Sequence, residues 1–313
     1  EADPIPFTSP IDILEGAGFG SEFEFKLSRF LPRGGVEFDV QDNVLFYANA
    51  AVGARNGGVG QAIGALSNSG GDPTLFYENL TFDEDSVLTI DGGVKSTWFD
   101  GALVANIGVF HSKFKDTQIL IQLPASNATN GPDQRIMGFE IETSYRFTDG
   151  LSAFFNGAIL DAEFTADAST VLAPPPGETA PYFDIKDGNS ATHAPTLSFS
   201  TGYTFSRPIG ANGLRLTSTG VFQYIGERNS SVQNYPSTRL DSIENLNLRV
   251  GIENERFALT AFAANLLNDI EAVDTAGNSL AHAINADGAL DSSPIFTAVN
   301  RPRSYGLSLT VRY

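Results

Sequence analysis

The side chains that could do chemistry in this chain are few and scattered. Three histidines, His111, His193 and His282, stand singly, and the 313 residues include no cysteine. Thiolate catalysis and cysteine-bound zinc or iron–sulfur centres are excluded, and lone histidines argue against a His-based metal or catalytic cluster. Serines and aspartates are plentiful, yet no Gly-x-Ser-x-Gly elbow brings a nucleophile to a base. The expectation is no enzyme, no catalytic residue, no bound metal and no cofactor. Around Phe183 to Asn189, three oxygen donors, Asp184, Asp187 and Asn189, could face a calcium ion. Their spacing falls short of an EF-hand loop, and Asp187-Gly188 reads first as a turn. Two aromatic pairs, Phe76-Tyr77 and Tyr182-Phe183, offer flat faces for stacking a ligand, with loop packing or an interfacial belt as the competing reading.

The elements that must position such groups are strands. Periodicity is two almost throughout, with no convincing amphipathic helix. From Arg135 to Phe147, Met137, Phe139, Ile141, Thr143, Tyr145 and Phe147 face one way, and Gly138, Glu140, Glu142, Ser144 and Arg146 the other. Residues 197–206 repeat the pattern, as does the run holding Leu246, Leu248, Val250 and Ile252 against Asn245, Asn247, Arg249 and Gly251. Glu140, Glu142, Arg146 and Arg249 thus fall on a wet face opposite a greasy one. The last residues alternate too: Tyr305, Leu307, Leu309, Val311 and Tyr313 on one side, ending on an aromatic, as the closing strand of a membrane barrel reads.

Eleven strands emerge, at about 33–41, 43–54, 85–98, 101–116, 134–147, 151–164, 195–206, 213–227, 239–253, 256–267 and 303–313. Short Asx- or Gly-rich turns join them at one end (Asp42-Asn43, Asp100-Gly101, Asp149-Gly150, residues 207–213, Asn254-Glu255). Long polar connections join them at the other, near 55–84, 117–133, 166–193, 229–238 and 269–302, as in outer-membrane barrels. Acidity concentrates there: residues 55–84, 166–193 and 269–300 hold −11 of the formal −18. So acidic a chain repels phosphates, which excludes nucleic acid as a partner. No apolar run reaches the eighteen residues of a spanning helix, whereas barrel strands leave mean hydropathy near zero, as here.

An odd strand count sets a topological problem, because the first and last strands of an eleven-stranded meander run parallel and cannot close antiparallel. Either Glu22 to Leu27 supplies a twelfth strand or further strands lie upstream; the second is preferred. Residues 1–31 then read as an extracellular loop or N-terminal lead-in and 32–313 as barrel. The N-terminal residues show neither the basic nor the apolar region of an export signal, which is expected to be removed or to lie upstream.

Several segments resemble the C-terminal half of the barrel of TonB-dependent outer-membrane receptors. Pro32, Arg33, Tyr47, Gly53, Arg55, Gly57 and Gly58 match a Pro-Arg strand opening and a Gly-x-Arg-x-Gly-Gly-like loop start, with Ala54 where the family usually has an aromatic. Asp91, Lys95, Lys115, Asp116 and Gln118 resemble an acidic-x-Gly-x-Lys hairpin leading to a Lys-Asp-x-Gln rim. Gly138, Glu140 and Glu142, then Ala194-Pro195, then Asn265 to Asp269 and finally Arg301-Pro302-Arg303 to Tyr313 follow in the family's order.

The resemblance implies an all-β, antiparallel up-and-down transmembrane barrel, about half of a 22-stranded one, in the bacterial outer membrane. It implies energised uptake of a scarce nutrient (siderophore-iron, cobalamin, haem or saccharide), driven by the TonB complex acting on a plug domain not present in these residues. Phe76, Tyr77, Tyr182 and Phe183 become ligand-binding loop candidates, and Glu140, Glu142, Arg146 and Arg249 lumen- or plug-facing residues. Tyr305, Leu307, Leu309, Val311 and Tyr313 become the signal read by the barrel assembly machinery, with outer-membrane lipid as a further partner. The scarcity of basic loop residues favours a neutral or cationic complex, or a sugar, over a strongly anionic ferric catecholate. Two other readings stand beside this one: a passive porin or translocation pore, and a soluble carbohydrate-binding β-sandwich.

Overall fold

In the computed structural model, residues 29–60, 80–121, 127–169, 184–210, 213–234, 236–276 and 296–312 are described. They form an eleven-stranded sheet in which every strand pairs antiparallel with its chain neighbours. The strands are β1 (Arg33–Gln41), β2 (Val44–Arg55), β3 (Asp85–Trp98), β4 (Leu103–Lys115), β5 (Gln134–Thr148), β6 (Leu151–Phe164), β7 (Leu197–Pro208), β8 (Arg215–Ile225), β9 (Ile243–Glu253), β10 (Phe257–Ala264) and β11 (Ser304–Val311). All eleven expected strands are present. Two overshoot by three or more residues at one end: Arg239–Leu240 pairs instead with Arg228–Asn229 in a loop hairpin, and β10 stops at Ala264 because Asn265 turns into the left-handed region at φ 48°. The candidate strand Glu22 to Leu27 lies outside the described residues.

The short turns follow from local chemistry. Phe99, Asp100 and Gly101 all have positive φ, and the Asn254 carboxamide oxygen accepts the backbone N–H groups of Arg256 and Phe257 at 2.9 and 3.0 Å. Each long loop carries a feature that periodicity had not shown, a short antiparallel hairpin: Gly58–Val59 with Thr81–Phe82, Gln118–Ile121 with Asn127–Asn130, Ala168–Ser169 with Asp184–Ile185, Arg228–Asn229 with Arg239–Leu240, and Ala272–Ala276 with Phe296–Val299.

Register, continuous except for shifts at Asp39–Gln41 and at Leu151–Ser152, places directly opposed residues on one face. On the apolar side the row Trp98, Leu103, Tyr145, Ala153, Tyr203 lies nearest the short turns, and Leu88, Lys113, Arg135, Glu163 nearest the long loops. Between them run rows such as Val94, Ile107, Ile141, Gly157, Phe199. Phe99, Tyr145 and Phe147 meet edge to face beside the lower row, at centroid distances of 6.4 and 4.6 Å, as an aromatic girdle. From Tyr145 to Arg135 the rise is about 33 Å along the strand and about 25 Å upright at a barrel tilt near 40°, the height of a lipid-facing band. Large apolar side chains stay uncovered there, Val109 at 55% and Leu307 at 76%, because lipid rather than protein is their solvent.

On the opposite face, rings lie over glycines of the next strand: Phe110 over Gly138, Phe154 over Gly202, Phe262 over Gly306, and Tyr47 over Gly93, its hydroxyl reaching Gly108 one strand further on. A Cβ on Gly138 would fall 2.7 Å from Phe110 Cζ and 2.8 Å from the Ile159 carbonyl oxygen; the ring can swing, the sheet carbonyl cannot. Gly138→Ala is therefore expected to cost about 1–3 kcal/mol. Gly34→Ala, where nothing lies within 4 Å, should change stability by less than about 0.5 kcal/mol. Urea midpoints in lipid vesicles for the two variants check this.

Candidate functional site

The polar face is built as a ladder. Lys95, Asn106, Glu142, Asn156, Ser200, Gln223 and Asn245 oppose one another across seven consecutive strands, β3 to β9. Glu142 accepts a hydrogen bond from the Asn106 side-chain amide at 3.2 Å, and the Lys95 ammonium sits 5.3 Å from the centre of the Tyr47 ring. Side chains from Tyr47 on β2 to Gln223 on β8 border one hollow of about 630 Å³, so the sheet bends around its polar face. The arrangement offers donors, acceptors and both charges to whatever fills the lumen.

The four charged residues expected on this face share it. Glu140 and Glu142 stand side by side on β5, Arg146 lies further down the same strand opposite Ser152, and Arg249 lies four strands away between Thr219 and Phe262. All four are exposed, and none forms an ion pair with a described residue. Tyr305, Leu307, Leu309 and Val311 lie on the apolar face of β11 and are 52–81% exposed, on an edge whose outer side has no partner strand among the described residues. Phe76, Tyr77, Tyr182, Phe183, Tyr313 and His282 lie outside the described residues.

The mouth is where the protein is tightly packed. Among the described residues, every buried apolar side chain belongs to it: Leu80, Ala162, Phe164, Ile185, Ala191, Leu240 and Ile243. Here the loops fold against the strand tops, and amide side chains tie each loop to the next. Asp85, 3% exposed, takes the Arg55 Nε at 3.0 Å, pairs with Arg55 Nη2, and accepts the Gln118 backbone N–H at 3.1 Å. The Gln118 carboxamide donates to the carbonyls of Asn56 and Asp83, and Asn130 donates to Asp83 and Asp116, joining the first loop to the second. Thr165 donates its N–H to the Asp133 carbonyl at 2.9 Å, joining the second to the third. Asn234, at φ 56°, exchanges hydrogen bonds with the backbone of Ser190 at 2.6 and 2.9 Å, joining third and fourth. Arg228 donates to the carbonyls of Ala272 and Val273, joining fourth and fifth; burial lowers its pKa from the ordinary arginine value, with Asp274 opposing.

Asp187 and Asn189 serve this collar. Gly188 turns at φ 85°, the Asn189 amide donates to the Val232 carbonyl, and Asp167 accepts the Asp187 N–H at 2.8 Å. That hydrogen bond, with Lys186 nearby, holds the Asp167 carboxyl below the usual carboxylate range. No three acidic or histidine side chains gather as a metal site among the described residues. His111 lies on the apolar face opposite Met137, and His193 lies 3.5 Å from Asp274.

A polar lumen wall, a lipid-facing band and a collar of tied loops are the parts of an outer-membrane barrel. The family model described as TonB dependent receptor-like, beta-barrel, matches residues 12–266. The chain belongs to the TonB-dependent receptor family. That family consists of receptors and transporters. The receptor barrel is similar to the ferric yersiniabactin uptake receptor FyuA from Yersinia pestis (TM-score 0.65, 16% identity, covering 90% of this chain and 37% of that one). It is similar also to the siderophore receptor PiuA from Acinetobacter baumannii (0.61, 16%, 90% and 35%) and to the copper transporter OprC (0.58, 16%, 89% and 39%). The chain thus spans well under half the length of these proteins.

Sequence reasoning found the faces and missed the collar. Asp85, Asn130, Arg228 and Asn234 stand in no motif; the available signal was the density of Asn, Gln and Asp at the loop bases.

Proposed function

We propose that this receptor barrel works in the bacterial outer membrane, in energised uptake of a scarce small-molecule nutrient. The observation that carries the reading is the seven-strand polar ladder of the lumen wall beneath a collar of mutually tied loops. Such a wall suits a moving, hydrated occupant: its exposed charges bind weakly and exchange partners, whereas the collar holds the mouth's shape. Glu140, Glu142, Arg146 and Arg249 are assigned to a plug domain supplied outside these residues and pulled by the TonB complex. Phe76, Tyr77, Tyr182 and Phe183 are assigned to ligand capture, and β11 with Tyr313 to recognition by the barrel assembly machinery.

The structural neighbours include receptors for ferric siderophores, and iron carried by a neutral or cationic siderophore fits the acidic loops best. The test is uptake by intact cells expressing the native protein, with radioactive iron presented as hydroxamate, phenolate and catecholate complexes. Uptake of at least one complex should fall to background when TonB is deleted. Entry that persists without TonB would instead establish a passive pore.

A further inference from the structure

Four asparagines of the sequence precede a glycine: Asn56, Asn130, Asn156 and Asn212. Such a pair is chemically labile, because no side chain shields the glycine nitrogen from the asparagine's own side-chain carbonyl carbon. Attack needs a glycine N–H that no acceptor holds and a carboxamide free to rotate onto it. The fold withholds one or both at two of these sites. The Asn130 carboxamide accepts the Asp83 N–H at 2.6 Å and donates to the carbonyls of Asp83 and Asp116 at 3.1 and 2.8 Å. Gly131 donates its N–H to the Thr117 carbonyl at 2.7 Å. Gly157 lies in the middle of β6, between β5 and β7, where the sheet ladder occupies its N–H. Asn212 lies outside the described residues.

Asn56 differs. It stands exposed just past the end of β2, and among the described residues neither its carboxamide nor the Gly57 N–H has a hydrogen-bond partner. The peptide group between them is held by the Gln118 carboxamide, which donates to the Asn56 carbonyl at 2.8 Å. We propose that Asn56 is a site of spontaneous deamidation and isoaspartate formation at the mouth of the barrel. The Gly57 nitrogen bonds to Asn56 Cγ, the Cγ–Nδ2 bond breaks, and ammonia leaves with the proton lost from the Gly57 N–H. Water then opens the cyclic imide at either carbonyl, giving aspartate or isoaspartate. Either product adds a negative charge beside Asp83 and Asp85, at a rim that is already acidic. Isoaspartate also lengthens the backbone by a methylene. Gly57 is packed against the opposite chain, where a Cβ would fall 2.4 Å from the Phe82 carbonyl oxygen, so the added length displaces Asn56. The tie that Gln118 makes between the first and second loops shifts with it.

The test incubates the native, full-length protein in detergent, in mildly alkaline buffer, with the heat-modifiable band confirming that it stays folded. Samples are digested with pepsin in acid, which halts the reaction. The conversion is read by the mass gain of amide to acid and by isoaspartyl methyltransferase labelling. Each hydrogen bond that must break slows ring closure by about fivefold, so Asn130, held by three more than Asn56, should convert about a hundredfold more slowly. Asn156 should lag as well. In urea, where these bonds are gone, the three sites should convert at similar rates. Conversion of Asn130 or Asn156 as fast as Asn56 in the folded protein, or a folded-state Asn56 that stays intact, overturns the proposal. A gap that persists unchanged in urea overturns it too. The measurement needs neither nutrient nor TonB, so its failure and that of the uptake reading are independent.

Discussion

Ile107→Arg is expected to destabilise the barrel by about 2–4 kcal/mol, while Asn106→Arg, one residue away, should cost less than about 0.5 kcal/mol. Ile107 opposes Val94 and Ile141 in a row midway between the aromatic girdle and the charged rim, and 44% of its surface is uncovered. A guanidinium there meets hydrocarbon with no acceptor within reach of a short snorkel. Asn106 opposes Lys95 and Glu142 on the wet face, where an arginine gains a carboxylate neighbour already bonded to the native amide at 3.2 Å. The asymmetry separates the barrel from the soluble sandwich sharply. In a sandwich Ile107 would sit between sheets, and substitutions there would disturb packing without depending on lipid. The measurement is urea unfolding in vesicles, read by tryptophan fluorescence from Trp98 and by the heat-modifiable band. Equal midpoints for the two variants would overturn the assignment of faces.

The wall was legible because its information is local. A two-residue period fixes which side chains share a face, and Asp-Gly or Asx-rich turns fix where a strand reverses, so Glu142 and Arg249 could be placed on one face though 107 residues separate them. Errors in strand ends arose where a polar residue acts against the pattern. Asn265 interrupts an apolar run by adopting positive φ and donating to the carbonyls of Asp269 and Arg301.

The collar was illegible for the opposite reason. Its bonds join residues far apart in sequence, Gln118 to Asn56 and Asn234 to Ser190, and a side-chain amide bonding to a backbone carbonyl leaves no periodic trace. Its hairpins are only two to five residues a side, too short for alternation to register. The Asp187–Asn189 segment shows the consequence. Read alone it resembles a set of oxygen donors, and only the distant Val232 carbonyl and Asp167 carboxylate reveal it as a turn in a loop-to-loop tie.

Removing the key acid of that collar should loosen the mouth while leaving the wall intact. Asp85 is nearly sealed from solvent, although its partner Arg55 keeps 60% of its side-chain surface exposed. In Asp85→Ala the guanidinium rehydrates cheaply, so its loss is a modest part of the cost. The larger part is the Gln118 N–H, which loses a charged acceptor at a rim where the neighbouring Thr117 is already buried. Losing one charged hydrogen bond and part of an ion pair amounts to about 2–3 kcal/mol of local opening free energy. Hydrogen exchange of backbone amides in 80–84 and 116–121 should then accelerate by about 30–150-fold, since each 1.4 kcal/mol is a factor of ten. Amides of β9 and β10 should not change, and Asp85→Asn, which keeps an acceptor oxygen, should fall between. Asp167→Ala, an exposed carboxylate of the third loop, should leave the first two loops protected. A uniform acceleration across all strands would show that Asp85 supports the barrel as a whole. Acceleration confined to the first two loops would place it as the joint that holds the mouth's shape.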